Sequence, residues 1–184
     1  DGVDTIKIVP SGLHAGPDSI AEDTVMTDVE VAAVCEVARQ RSRKVAAHAR
    51  SAEAVKMCLR HGVDVIYHAT LADDEALAMH ESARDRIFVA PALGLQIARL
   101  RHGADFGLPP ASAMRDKLEK EVELVAGKMK ELAMRGVRIL PGGDYGFRWI
   151  PHGTNARDIG YMVELFGFTP MAALVAATRW GGAL

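Results

Sequence analysis

The chain has 184 residues, 49% hydrophobic and 25% charged, a length and balance suited to one globular domain with a sizeable core. A formal net charge of −2 gives no basis for nucleic acid or a membrane surface as partner, and no apolar run is long enough to span a bilayer. The opening residues do not read as a signal peptide, and Cys35 and Cys58 lie on predicted helices without CxxC spacing. They are expected to be small core residues in a reducing, cytoplasmic setting.

Asp4–Val9 predicts a short buried strand with one lysine, Lys7, among apolar neighbours. A buried ammonium loses its hydration unless it is paired or gives up its charge, so Lys7 stands out. A polar loop follows from Pro10 to Met26. Thr27 and Glu30 form a capping box that opens a helix with Val31, Val34, Cys35 and Ala38 on one face. Lys44–Ala49 is the second strand; Ser51 caps the next helix, which stops at Gly62.

Val63–His68 is the third strand, and Asp73 or Asp74 starts a helix through Ala83. Ile87–Pro91 is the fourth strand. The rhythm then breaks from Leu93 to Ser112, where Gly94, Gly103, Gly107, Pro109 and Pro110 suggest an insertion at a strand end. A long helix follows, with Leu118, Val122, Val125, Met129 and Leu132 as its core stripe and Gly136 as its stop. Val137–Pro141 is the fifth strand. A helix from near Asn155 to Phe166 and another, capped by Thr169 and running to about Thr178, close the chain.

Alternating strands and helices imply a parallel sheet with helices packed outside it. Five such units fit either an open doubly wound sheet or part of a (β/α)8 barrel. Lys7, His48, His68 and Asp144 each lie at or just past the C-terminal end of an apolar strand, which is where barrels build their active sites. No GxSxG elbow, GxGxxG or Walker loop is present. Two imidazoles and a carboxylate suit zinc or a similar divalent ion, and a lysine carbamylated by carbon dioxide would add an anionic ligand.

Several segments resemble the metal-dependent amidohydrolase superfamily, in the branch of imidazolonepropionase-like enzymes, Xaa-Pro dipeptidases and phenylurea hydrolases. They are Gly2–Ile8, Ala46–Ala49, Gly62–Asp64 through His68–Glu75, Gly136 through Asp144, His152–Asp158 and Thr169–Thr178. The resemblance implies a C–N bond hydrolase acting on an amide, dipeptide, urea or carbamate. It also implies that residues 1–184 form the C-terminal part of an α/β TIM-type barrel, about strands four to eight. In this family Lys7 resembles the carbamylated lysine that bridges two metal ions, zinc being the expected metal. His48 and His68 resemble ligands of the second ion. Asp144 resembles the aspartate that ligates the first ion and serves as general base toward a bridging hydroxide.

The family's His-x-His pair is absent, so its ligands are expected in a part of the barrel before Asp1, supplied by the same gene or a companion chain. Gly143 and Tyr67 stand where threonine and glutamate are commoner in the family. Tyr145, Arg148 and His152 are expected on the substrate rim, Arg148 as a partner for a substrate carboxylate. A small-molecule or dipeptide-like substrate and a homo-oligomer are the expected partners. The rival readings are a truncated, non-catalytic barrel piece that assembles through its sheet edges, and an open-sheet hydrolase without metal. His14, His61, His80 and His102 read as loop or solvated-helix residues without a role.

Overall fold

A computed structural model describes residues 2–13, 20–106 and 112–184; His14 and the Gly107–Pro110 part of the expected insertion lie outside them. Five strands, β1 (Thr5–Ile8), β2 (Lys44–Ala49), β3 (Val65–His68), β4 (Phe88–Ala90) and β5 (Arg138–Ile139), form one sheet in sequential order. Every neighbouring pair is parallel. Helices α1 (Asp28–Gln40), α2 (Ala52–His61), α3 (Asp74–Ser82), α4 (Leu93–His102), α5 (Ser112–Met134), α6 (Arg157–Phe166) and α7 (Pro170–Val175) connect or follow them.

Local chemistry sets most of the boundaries. Thr27 accepts the Glu30 N–H at 3.3 Å while the Glu30 carboxylate accepts the Thr27 N–H at 2.7 Å, closing the expected capping box. Ser51, Asp73 and Thr169 cap α2, α3 and α7 one way only, each side chain accepting the N–H of the residue three positions on. Gly62 ends α2 at φ 79°, a left-handed conformation that an L side chain adopts only with strain.

The register divides the strand residues between two faces. Val45, Ala47, Ile66, Val89 and Ile139 share one face and pack under the helices with Val31, Leu59, Leu77, Met129 and Leu132 in the main core. Ala46, Val65, Phe88, Ala90 and Leu140 form a smaller cluster on the other face. Lys7, His48 and Tyr67 share the parity of this second face, because Lys7 pairs with Ala46 and His48 with Tyr67.

Four sequence expectations need correction. β1 is an edge strand in which only Ile8 is buried and Lys7 is exposed, because the sheet covers it on one side alone. The segment from Leu93 is not an irregular insertion; it forms α4 and a 3-10 turn, Gly103–Phe106, before the long helix. His80 is fully buried within α3 rather than solvated, its Nδ1–H donating to the Ala76 carbonyl at 2.7 Å. The last helix also runs on past Thr178, through a wider π turn over Ala176–Trp180, to Ala183. The core stripe of α5 is as expected, with Leu118, Val125, Met129 and Leu132 buried, as are the free cysteines Cys35 and Cys58.

Candidate functional site

The C-terminal ends of β1, β2 and β3 and the turn after β5 bring Lys7, His48, His68 and Asp144 to one rim. His48 is the fifth residue of β2 and nearly buried. Its Nε2 lies 3.1 Å from the Gly12 carbonyl, an acceptor only, so Nε2 carries the proton and Nδ1 keeps its lone pair. Ser11 ties the same loop to the strand end, its Oγ accepting the Arg50 N–H at 2.8 Å.

His68 reaches the rim by breaking strand alternation. By register it pairs with Ala49, on the helix-covered face, opposite in parity to His48. Its φ is 76° and that of Ala69 is 50°. Both lie in the left-handed region, which costs a non-glycine residue about 1 kcal/mol or more. The turn brings the His68 ring to 4.4 Å from the His48 ring, edge to face, and its Nε2 to 3.8 Å from Asp144 Oδ2. The ring is 2% exposed, and Nδ1 has no hydrogen-bond partner among the described residues.

Burial drives the electrostatics. It holds His68 well below the usual imidazole range, and the Arg50, His48 and Lys7 charges push the same way; the Pro91 backbone opposes them. Burial also lowers His48, although the Gly12 carbonyl favours its proton. Both rings are therefore neutral near pH 7, the form that donates a lone pair. Lys7 Nζ sits 3.9 Å from the centroid of the Tyr67 ring, a cation–π position. Although the residue is exposed overall, desolvation at its ammonium lowers the Lys7 pKa and the Asp144 charge partly restores it.

Asp144 stands exposed on the turn Gly142–Tyr145. Tyr145 is half-buried, with its hydroxyl 3.5 Å from the Asn155 carbonyl. Arg148 and His152 are exposed; the His152 ring packs beside Gly146, where a Cβ would fall 2.9 Å from Nε2. Gly146 has φ 110°, so the backbone there favours glycine.

Three residues without an assigned role in the sequence wall the site. Arg50 Nη2 meets Glu121 Oε1 at 3.0 Å, and the Gln96 amide donates to the same oxygen at 3.3 Å. This group borders a cavity of about 110 Å³ that His48, His68 and Asp144 also line. Arg50 was within reach of sequence reasoning, two residues past His48 at the same strand end. Gln96 and Glu121 were not, because only the packing of α4 and α5 brings them there.

The donor set is chemically suited to a divalent cation: two neutral imidazoles, one of them with its buried Nδ1 unpartnered, and a carboxylate. Yet among the described residues no three His, Cys, Asp or Glu side chains converge closely enough to hold a metal by themselves.

This parallel sheet, with its alternating helices, matches part of an amidohydrolase TIM barrel, and the structural neighbours are members of that superfamily. Ochratoxinase of Aspergillus niger is 23% identical over 177 residues, which cover 96% of this chain and 35% of the relative; the A. niger ochratoxinase structure superposes with a TM-score of 0.80. A Xaa-Pro dipeptidase with methionine bound in its active site is 29% identical, with a TM-score of 0.77, and covers 99% of this chain and 43% of its own. Phenylurea hydrolase B, 20% identical with a TM-score of 0.65, shares the fold, covering 97% of this chain and 42% of its own. The chain thus spans about a third to two fifths of the length of these relatives. No protein-family model matches it. The expected resemblance and the partial-barrel fold are borne out. No helix among the described residues is long and apolar enough to cross a membrane.

Proposed function

We propose that residues 1–184 are the C-terminal part of a metal-dependent hydrolase of C–N bonds, completed by the remaining strands of its barrel. The observation that carries this reading is the approach of His68 to both His48 and Asp144 at the rim, reached through a strained backbone. His48, His68, Asp144 and a carbamylated Lys7 would hold the metal, zinc being the first candidate. When bound, such an ion lowers the pKa of a water molecule and polarises the scissile carbonyl.

The chain's own groups supply the proton traffic. Asp144, exposed on the rim, accepts a proton from the attacking water as the new C–O bond forms. It then delivers that proton to the leaving nitrogen as the C–N bond breaks, so proton and electron pair balance. The Arg50–Glu121 pair and Gln96 limit the space beside the reacting carbonyl and favour a small or dipeptide-like substrate. Tyr145, Arg148 and His152 border its outer side, Arg148 offering a planar fork to a substrate carboxylate.

The test uses the protein with its barrel complete. Amide, dipeptide, urea and carbamate substrates are assayed with wild type and Asp144→Asn, alongside metal analysis. Turnover lost in Asp144→Asn with metal retained supports the roles; hydrolysis at the wild-type rate refutes them.

A second reading has one observation in its favour, the lack of a three-ligand cluster among the described residues. On that reading the chain is a non-catalytic piece that assembles through the edges β1 and β5. A metal-free, self-associating protein supports it.

A further inference from the structure

The turn that carries Asp144 rests on a second carboxylate. Asp158, in the first turn of α6, is 5% exposed, and neither of its oxygens has a hydrogen-bond partner among the described residues. The Tyr145 hydroxyl and the Gly142 N–H both favour its charge without closing a bond of good geometry; burial outweighs them and pushes the carboxyl up. The positive end of α6 offsets only part of that cost. A buried carboxyl so poorly served calls for an explanation.

The explanation lies in what it touches. A Cβ added at Gly94, in the first turn of α4, would fall 2.4 Å from Asp158 Oδ1. One added at Gly143 would fall 3.2 Å from Oδ2 and 2.8 Å from the Tyr145 ring. The carboxylate therefore sits between α4 and the turn, against Gly143 and the Tyr145 side chain, and the missing side chain of Gly94 admits it. The adjoining cavity is about 10 Å³, too small for a substrate group and at the lower bound for one water.

We propose that Asp158 is a positioning residue that sets the turn bearing Asp144, acting through Gly143 and Tyr145. Its catalytic consequence rests on the hydrolase reading above; its structural consequence does not.

The experiment follows amide hydrogen exchange across residues 142–146, with kcat and KM, in the complete protein and in Asp158→Ala and Asp158→Asn. In Asp158→Ala, exchange at 142–146 rises about tenfold or more while β2 and β3 keep their protection. kcat falls by up to about 100-fold at nearly constant KM. Asp158→Asn, of the same shape, restores most of the protection. Unchanged exchange at 142–146 in Asp158→Ala, or loosening spread evenly through β2 and β3, overturns the proposal. If Asp158→Ala does not fold, Gly94→Ala provides the second arm: its Cβ must disturb the same amides, and normal exchange there overturns the proposal too. A wild type without hydrolytic activity whose turn still responds to Asp158→Ala sinks the hydrolase reading and leaves the positioning role standing.

Discussion

Two buried imidazoles, His68 at the rim and His80 inside α3, share one property and differ in all that matters for chemistry. Burial depresses both, His80 to about 4 and His68 well below its ordinary range. His80 makes its bond within its own helix, to Ala76, and is surrounded by core. His68 sits on a strained turn, 4.4 Å from a second imidazole and 3.8 Å from a carboxylate. A shifted pKa alone therefore does not mark a site. What separates the two rings is that His68 stands beside side chains from other strand ends and His80 does not.

The sharpest way to break this contrast is at the rim itself. Asp144→Ala should lower turnover of the complete protein by roughly 10²–10⁴-fold, the span of a lost general base, with little change in thermal midpoint. Next, His68→Ala should weaken metal binding by more than the roughly 10–100-fold typical of an outer-shell partner, whereas His80→Leu should leave it unchanged; titration against a chelator measures both. Equal losses in the two variants would erase the distinction.

The core side of the contrast has its own signature. His80 has a folded pKa of about 4 against 6.5 for the unfolded group. Between those values the unfolded chain binds the proton and the folded one does not, so stability falls as pH drops from 6.5 toward 4. The loss reaches up to roughly 3 kcal/mol by the standard conversion of a pKa shift. Urea midpoints at pH 7 and pH 4.5 should show a smaller drop in His80→Leu than in wild type. The smallest effect is expected far from both imidazoles. Thr27→Ala removes one arm of the α1 capping box and should cost about 1 kcal/mol in the same measurement, without touching metal binding.

Much of the fold was legible because short-range chemistry wrote it. Thr27, Ser51, Asp73 and Thr169 cap their helices, and the α5 stripe is buried as its spacing implies. The strand ends that present Lys7, His48 and His68 were legible for the same reason. What escaped depended on contacts between distant residues or on backbone angles. Alternation puts His68 on the wrong face, and nothing in its residue type announces φ 76°. The glycines that suggested a loop after Leu93 include Gly94, whose missing side chain admits Asp158 from another helix. His80 reads as solvated by type, and only the packing of α3 buries it.

Anomalous diffraction at the zinc edge, from crystals of the complete protein, would show whether the β2 and β3 strand ends form a metal centre with Lys7 and Asp144. A peak is expected within about 2.0–2.2 Å of an imidazole nitrogen of both His48 and His68. A hydrolytically active crystal with no peak between those rings would contradict it.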